Sequence, residues 1–327
     1  MNPNLFNDDD VIDLNTQRRF QRRDRKRKKK GRSAPQPPPP ELLRSMRADA
    51  DADERALSMS YQPALHEAEW LLQSLRSFYE EGLISDVLFQ VQGGKEATVY
   101  CCRTGPACPS ELLAAKVYRP RKHRNLSNDQ MYREGRETLS EEGRTIKQTK
   151  HRIMRAVQKR TVFGEKVRHQ SWLMYEYKAL QELYADGAAV PRPWSANRNA
   201  ILMDYVGTLD APAPKLSRLS LPPEEATRLF GEVVDTIDIM LQRALIHGDL
   251  SAYNVLYEDG HAVVIDFPQI VRVGVNRHSR ALFERDVQRV CDYFSRQGVE
   301  TDAAALISQL WDRYVQTREG VPEDVAY

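Results

Sequence analysis

Two stretches in the last third of the chain carry the residue types that chemistry needs. One is Ile246-His247-Gly248-Asp249-Leu250-Ser251-Ala252-Tyr253-Asn254-Val255-Leu256-Tyr257; the other is Val263-Val264-Ile265-Asp266-Phe267-Pro268. Asp249 and Asn254 stand five apart. At that spacing an aspartate can take or orient the proton of an attacking hydroxyl while an asparagine holds magnesium. Asp266 closes the next short apolar run and would be the second metal carboxylate. Phosphoryl transfer calls for such a trio, because magnesium is a hard cation that wants oxygen ligands and the charge developing on the phosphoryl oxygens must be neutralised. Taken one at a time, Asp249 and Asn254 read equally well as turn caps, and Asp266 as the end of a strand.

The elements upstream tip that balance, because they follow in the order a kinase requires. Val87, Phe89 and Val91 alternate, Gly93 and Gly94 break the run, and Thr98-Val99-Tyr100 resumes it, so a glycine hairpin able to fold over a ligand is predicted over 86–100. A third strand, Leu112 to Tyr118, carries a single lysine, Lys116, in an apolar run, either at a strand end or paired inside. A helix is expected from Trp172 to Tyr184, with Leu173, Tyr177, Leu180 and Leu183 inward and Glu176 one turn ahead of Leu180. Lys116 would bind nucleotide phosphates and Glu176 would hold it by an ion pair in a poorly solvated cleft. A leading helix over 63–81, a buried-looking strand from Ala200 to Tyr205 and a long helix from Pro222 to Arg243 complete the frame. Strands first and helices later give a two-lobed α+β body with a cleft between the lobes.

Length and charge bound the remainder. A chain of 327 residues with 41% hydrophobic and 29% charged content is long enough for a sizeable core plus a solvated tail. No stretch is apolar enough for a membrane span or a signal peptide, so a soluble cytoplasmic protein is expected. Cys101, Cys102, Cys108 and Cys291 lack zinc-site spacing, and reduced, metal-free thiols are expected. Arg18 to Arg32 holds eleven Lys or Arg against one acid, a run of +10 in a chain of net +2, so the remainder is net −8. Such a run repels itself, and Pro35 and Pro37 to Pro40 follow it; residues 1–55 therefore read as a disordered tail. It is either a solubilising tail or a phosphate-backbone arm for RNA, and no DNA sequence specificity is expected of it. Between Lys116 and Glu176 lies a second basic stretch, about 119–171, with fifteen Lys or Arg against six acids; a long mobile insertion with some helix is expected there.

Gly94-Lys95-Glu96-Ala97-Thr98-Val99-Tyr100, His247-Gly248-Asp249-Leu250-Ser251-Ala252-Tyr253-Asn254 and Ile265-Asp266-Phe267-Pro268-Gln269 together resemble the RIO family of atypical serine/threonine protein kinases and ATPases, from about residue 60 to about 300. The last two motifs carry most of the likeness. The resemblance implies a bilobal protein-kinase-like fold with a small β-rich N-lobe (56–207) and a mostly helical C-lobe (208–327). It also implies ATP, with Mg2+ or Mn2+. In this reading Asp249 is catalytic, Asn254 and Asp266 are metal ligands, and Asp266 can become a transient aspartyl-phosphate. Gly93, Gly94, Lys95, Lys116 and Glu176 serve the phosphates. Leu202-Met203-Asp204-Tyr205-Val206-Gly207 resembles the family hinge, where backbone groups of Asp204 and Val206 read adenine beneath the gatekeeper Met203. Family members are linked to maturation of the small ribosomal subunit, which the basic tail suits through a ribosomal or other RNA–protein particle.

Only twenty residues separate Asp266 from Asp286, too few for an activation segment, so a protein substrate cannot be recognised in the usual way. Asp286 is expected to brace the catalytic loop. Gln92-Gly93 stands where the family usually has a hydroxyl residue, and the forty-odd residues between the proline run and the hairpin are too few for a winged-helix domain, which favours the first RIO subfamily or its prokaryotic relatives. Ser127, Thr138, Ser140, Thr145 and Thr149 make the insertion either an autophosphorylation loop or a solvated excursion. Two other readings compete: a small-molecule phosphotransferase, opposed by the short stretch after Asp286, and an ATP-bound RNA-binding scaffold without catalysis.

Overall fold

The computed structural model describes residues 58–94, 96–119, 131–132, 134–147, 149–159 and 161–319. The expectations for residues 1–55, for Lys95 and for Ser127 fall outside these residues. The others can be followed from strand to site.

Alternating β-branched and aromatic residues make β2 (Ile84–Gly93), β3 (Ala97–Thr104) and β4 (Leu112–Tyr118), each antiparallel to the next. Short β1 (Ser58–Met59) pairs parallel to β2, while β6 (Ala200–Asp204) pairs with β4 and β5 (Pro193–Ala196) with β6. The sheet order is thus β1-β2-β3-β4-β6-β5. Side-chain parity gives it two faces. Tyr100, Cys102, Leu113, Ala115 and Val117 pack with Leu71, Leu75 and Phe78 of α1 (Leu65–Glu80), a helix that ends at Gly82, φ +70°, with Leu83 N–H donating to Phe78 O at 2.9 Å. Val99, Cys101, Leu112 and Ala114 turn the other way, toward Tyr205 and Met203. Lys116 shares parity with Ala114 and so leaves the sheet on the side away from α1.

Two helices follow in the chain, α2 (His151–Gln158) and α3 (Val162–Ala185). The helix expected from Trp172 begins ten residues earlier, because Thr161 caps it by accepting from Gly164 N–H at 3.1 Å. Its first turn shows no inward stripe to read: Val162 and Phe163 are exposed, and the buried residue is Gly164. A Cβ on Gly164 would meet Ala156 O of α2 at 1.9 Å, so the two helices touch backbone to backbone. The helix expected within the basic stretch is thus present as α2 and the first turns of α3.

The C-lobe packs α4 (Pro223–Gln242), α5 (Ser279–Arg296) and α6 (Ala303–Glu319) around one core with the end of α3. Four short strands lie at its cleft end: β7 (Leu245–Ile246) with β10 (Val271–Arg272), and β8 (Val255–Glu258) with β9 (His261–Val264). The β8–β9 turn has positive φ at both Asp259 (48°) and Gly260 (87°), as a two-residue hairpin loop requires. Among the described residues, no helix is long and apolar enough to cross a membrane.

Candidate active site

Lys116 Nζ lies 2.5 Å from Glu176 Oε1 and 2.5 Å from Asp266 Oδ1, joining the N-lobe sheet, α3 and the loop after β9 in one contact. Lys116 and Glu176 are buried, at 8% and 3% exposure, whereas the Asp266 side chain keeps 46% of its surface open to the cleft. Burial pulls the Lys116 ammonium down, but the charges of Asp266 and Glu176 outweigh it and leave the group raised above the ordinary lysine value. Burial likewise pushes the Asp266 carboxyl up, and the charge and hydrogen bond of Lys116 bring it net below its usual range. Lys116 and Asp266 are thus both held charged. Asp266 also adopts φ +74°, a left-handed conformation uncommon for a residue with a side chain.

Tyr118 completes the group by donating its hydroxyl to Glu176 Oε2. It is fully buried, with Trp172 edge-on at 5.0 Å between ring centroids. Sequence reasoning passed over it, yet the signal was present: Tyr118 is two residues beyond Lys116 on one strand, hence on the same face.

The loop that carries Asp249 and Asn254 runs between β7 and β8. Asn254 Nδ2 donates to Asp249 O at 2.9 Å, and Ile265 N–H donates to Asn254 O at 2.9 Å, which ties the loop to the strand leading into Asp266. His247 is buried; its Nδ1 accepts from Asp249 N–H at 3.3 Å, so Nε2 carries the proton and donates to Ile265 O at 3.1 Å. Gly248, at φ +82°, would with a Cβ meet Gln269 O at 2.5 Å, and only glycine fits there. Asp286 does brace the loop: its Oδ2 accepts Gly248 N–H at 2.7 Å while neighbouring Arg285 donates to Gly248 O. Burial pushes the Asp286 carboxyl up despite His247 and Arg285 nearby. The Asp249 carboxylate itself is paired to Arg289 of α5, Oδ1 to Nη1 at 3.0 Å, a partner the sequence did not suggest.

A hard cation fits the two expected ligands. The amide nitrogen of Asn254 is spent on Asp249 O, which leaves its oxygen to offer, and Asp266 has Oδ2 beyond the oxygen that Lys116 takes. Among the described residues there is no cluster of three or more His, Cys, Asp or Glu that could hold a metal. Gly93 ends β2, and Gly94 N–H closes the hairpin onto Ala97 O at 2.9 Å, where a Cβ would approach that oxygen to 2.8 Å. Met203 packs against the C-lobe core, the Tyr118 cluster and the cleft face of the sheet together, at the back of the cleft. Asp204 N–H donates to Arg192 O at 2.9 Å and Val206 O accepts from Ala213 N–H at 3.1 Å.

The insertion returns to the site. Arg136 Nη2 donates to Pro268 O at 3.0 Å and to Ile270 O at 2.5 Å, its guanidinium 5.3 Å from the Tyr175 ring, and Asn276 Nδ2 donates to Met131 O at 2.7 Å. Leu139 is buried beneath Ser171, whose hydroxyl accepts Leu139 N–H at 2.9 Å.

A family model described as RIO domain matches residues 114–306, more than half of the chain and all five of Lys116, Glu176, Asp249, Asn254 and Asp266. The chain belongs to the RIO family. It is 36% identical over 144 residues to the RIO-type serine/threonine-protein kinase Rio1 of Haloferax volcanii, a match covering 44% of this chain and 48% of that one. To the Rio1 of Thermoplasma acidophilum it is 30% identical over 131 residues, 40% of this chain and 67% of the relative. To human serine/threonine-protein kinase RIO1 it is 26% identical over 219 residues, 67% of this chain and 35% of the relative. The chain thus spans about half, two thirds and a third of these relatives. In this RIO domain the sheet-bearing N-lobe and helical C-lobe are of the kinase-like α+β class, and the segment after Asp266 reaches α5 within thirteen residues.

Proposed function

We propose that this RIO-family chain binds ATP with a divalent cation and transfers its γ-phosphoryl group to a serine or threonine hydroxyl, or to water. The observation that carries the reading is the Lys116 ammonium held at 2.5 Å from both Glu176 and Asp266. A charged lysine fixed by a buried carboxylate is preorganised to receive phosphate oxygens without reorienting in the reaction. Asn254 and Asp266 would hold the cation, which when bound neutralises charge on the phosphoryl oxygens. Asp249 orients the attacking hydroxyl and takes its proton, from a loop held still by His247, Asn254 and Asp286. The Asp204 carbonyl and Val206 amide would meet the adenine edge, since Asp204 N–H and Val206 O are engaged elsewhere.

The test is incubation of the full chain with magnesium and γ-labelled ATP, following free phosphate and protein-bound label together. Wild type is expected to release or incorporate phosphate, with Asp249→Ala and Asp266→Asn removing both. ATP binding without any turnover in the wild type would instead favour the non-catalytic scaffold. Label stable to acid marks a serine product, and label lost to hydroxylamine marks an aspartyl-phosphate on Asp266. Association with a ribosomal or other RNA–protein particle rests on the basic run 18–32; a salt-sensitive RNA affinity lost on deleting residues 1–40 tests it.

A further inference from the structure

A cavity of about 640 Å3 opens beside the Asp249 carboxylate, on the side of α5. It is lined by Asp249, Ser251, Tyr253 and Asn254 from the catalytic loop and by Arg289 and Arg296 from α5. The volume suits a short peptide segment or a small molecule. Arg289 and Arg296 are seven apart, two turns along one helix face, so their stems are spaced by roughly 10 Å, about three residues of extended chain. Tyr253 is 68% exposed and offers an apolar ring at the rim.

Arg289 holds Asp249 Oδ1 in this state, and exchanging that partner would free both carboxylate oxygens to face an acceptor hydroxyl. A second carboxylate arriving on the acceptor can take Arg289 over. We infer that this cavity is the acceptor subsite and that it selects a serine or threonine flanked by acidic side chains, one beside the hydroxyl on Arg289 and one about three residues away on Arg296. The inference rests on the phosphotransfer reading above and deepens it.

Acceptor binding then does two things at once. Its carboxylate pairs with Arg289, and the freed Asp249 carboxylate faces the acceptor hydroxyl. The hydroxyl oxygen forms a bond to the γ-phosphorus of ATP, the bond from that phosphorus to the β–γ bridging oxygen breaks, the hydroxyl proton passes to Asp249, and ADP leaves. Arg289 is thus a specificity-determining and positioning residue. A polynucleotide suits the cavity less well, because Asp292, whose carboxylate accepts from Gln288 Nε2 at 2.7 Å, stands between the two arginines on the same wall and would face a closely spaced phosphate.

The full chain is assayed with serine peptides that differ only in their flanks, neutral, glutamate-bearing at each of three positions on either side, or lysine-bearing, and kcat/KM is measured for each. Glutamate flanks are expected to raise kcat/KM by about tenfold or more over neutral ones, the size of one charge-assisted contact. Arg289→Ala and Arg296→Ala are expected to shrink that ratio toward one, with Arg289→Lys restoring part of it. Binding of a fluorescent glutamate-flanked peptide with alanine for serine, read by anisotropy, is expected to weaken in parallel. A preference for neutral or basic flanks, an acidic preference untouched by both arginine substitutions, or displacement of the peptide by an RNA oligomer from wild type alone would overturn the inference while leaving phosphotransfer standing. Absence of phosphate release and of all labelling would remove both.

Discussion

Arg136 donates to the carbonyl oxygen of Ile270 at 2.5 Å, bringing together residues 134 positions apart in the chain. The same Nη2 also holds Pro268 O, so one guanidinium from the insertion pins the backbone on the far side of Asp266. Arg136→Ala should therefore cost about 2 kcal/mol, the scale of charged hydrogen bonds left unmade. It should also lower phosphate turnover more than it lowers ATP affinity. Urea unfolding and steady-state kinetics on the same preparation check this; equal loss in a distant surface arginine such as Arg198 would contradict it.

Lys116→Met leaves the buried Glu176 carboxylate without its cation. We expect loss of ATP turnover and a stability cost of about 3 kcal/mol, as for breaking a buried pair from one side. Adding Glu176→Leu should recover much of that stability and none of the turnover, since an apolar pair of similar volume tolerates burial. Thermal unfolding of the single and double variants separates the two effects.

Tyr118→Phe removes the hydroxyl that serves Glu176 Oε2 while keeping the ring against Trp172. The carboxylate then lacks one partner, at about 1–3 kcal/mol. Freed to rotate, Glu176 holds Lys116 less well, and the KM for ATP should rise with little change in kcat. An unchanged KM would show that the ion pair alone fixes the lysine.

Asp286 provides a pH signature outside the metal site. Its carboxyl is raised on folding by burial, so the stability it contributes is present below the ordinary value of 3.8 and is lost as pH rises through the raised one. Asp286→Asn removes that titration. The stability of wild type relative to Asp286→Asn should fall as pH climbs from that ordinary value, seen as a diverging pair of urea midpoints. A difference constant with pH would contradict the prediction.

The elements that hold the site were largely legible, because their positions follow from period and punctuation. β4 lies where the apolar run around Lys116 placed it, and Glu176 faces Lys116 because the helical stripe carrying Leu173, Leu180 and Leu183 puts it on the inner side of α3. The two hairpins were written in Gly93-Gly94 and Asp259-Gly260. What could not be read were contacts made by exposed or polar groups across long separations, since neither periodicity nor motif spacing encodes them. Arg289 lies forty residues beyond Asp249 on a helix face with no apolar pattern of its own. The early start of α3 was hidden because Gly164 packs by having no side chain.

The left-handed backbone at Asp266 narrows which experiments on this residue are interpretable. Among residues bearing a Cβ, asparagine shares with aspartate a tolerance for that geometry, whereas alanine has no polar atom to offset it. Replacing Asp266 by alanine would therefore relax the turn as well as erase a carboxylate, and any lost activity would have two authors. Asparagine keeps the shape and deletes only the charge, so at this one position the conservative exchange is the more severe chemical question.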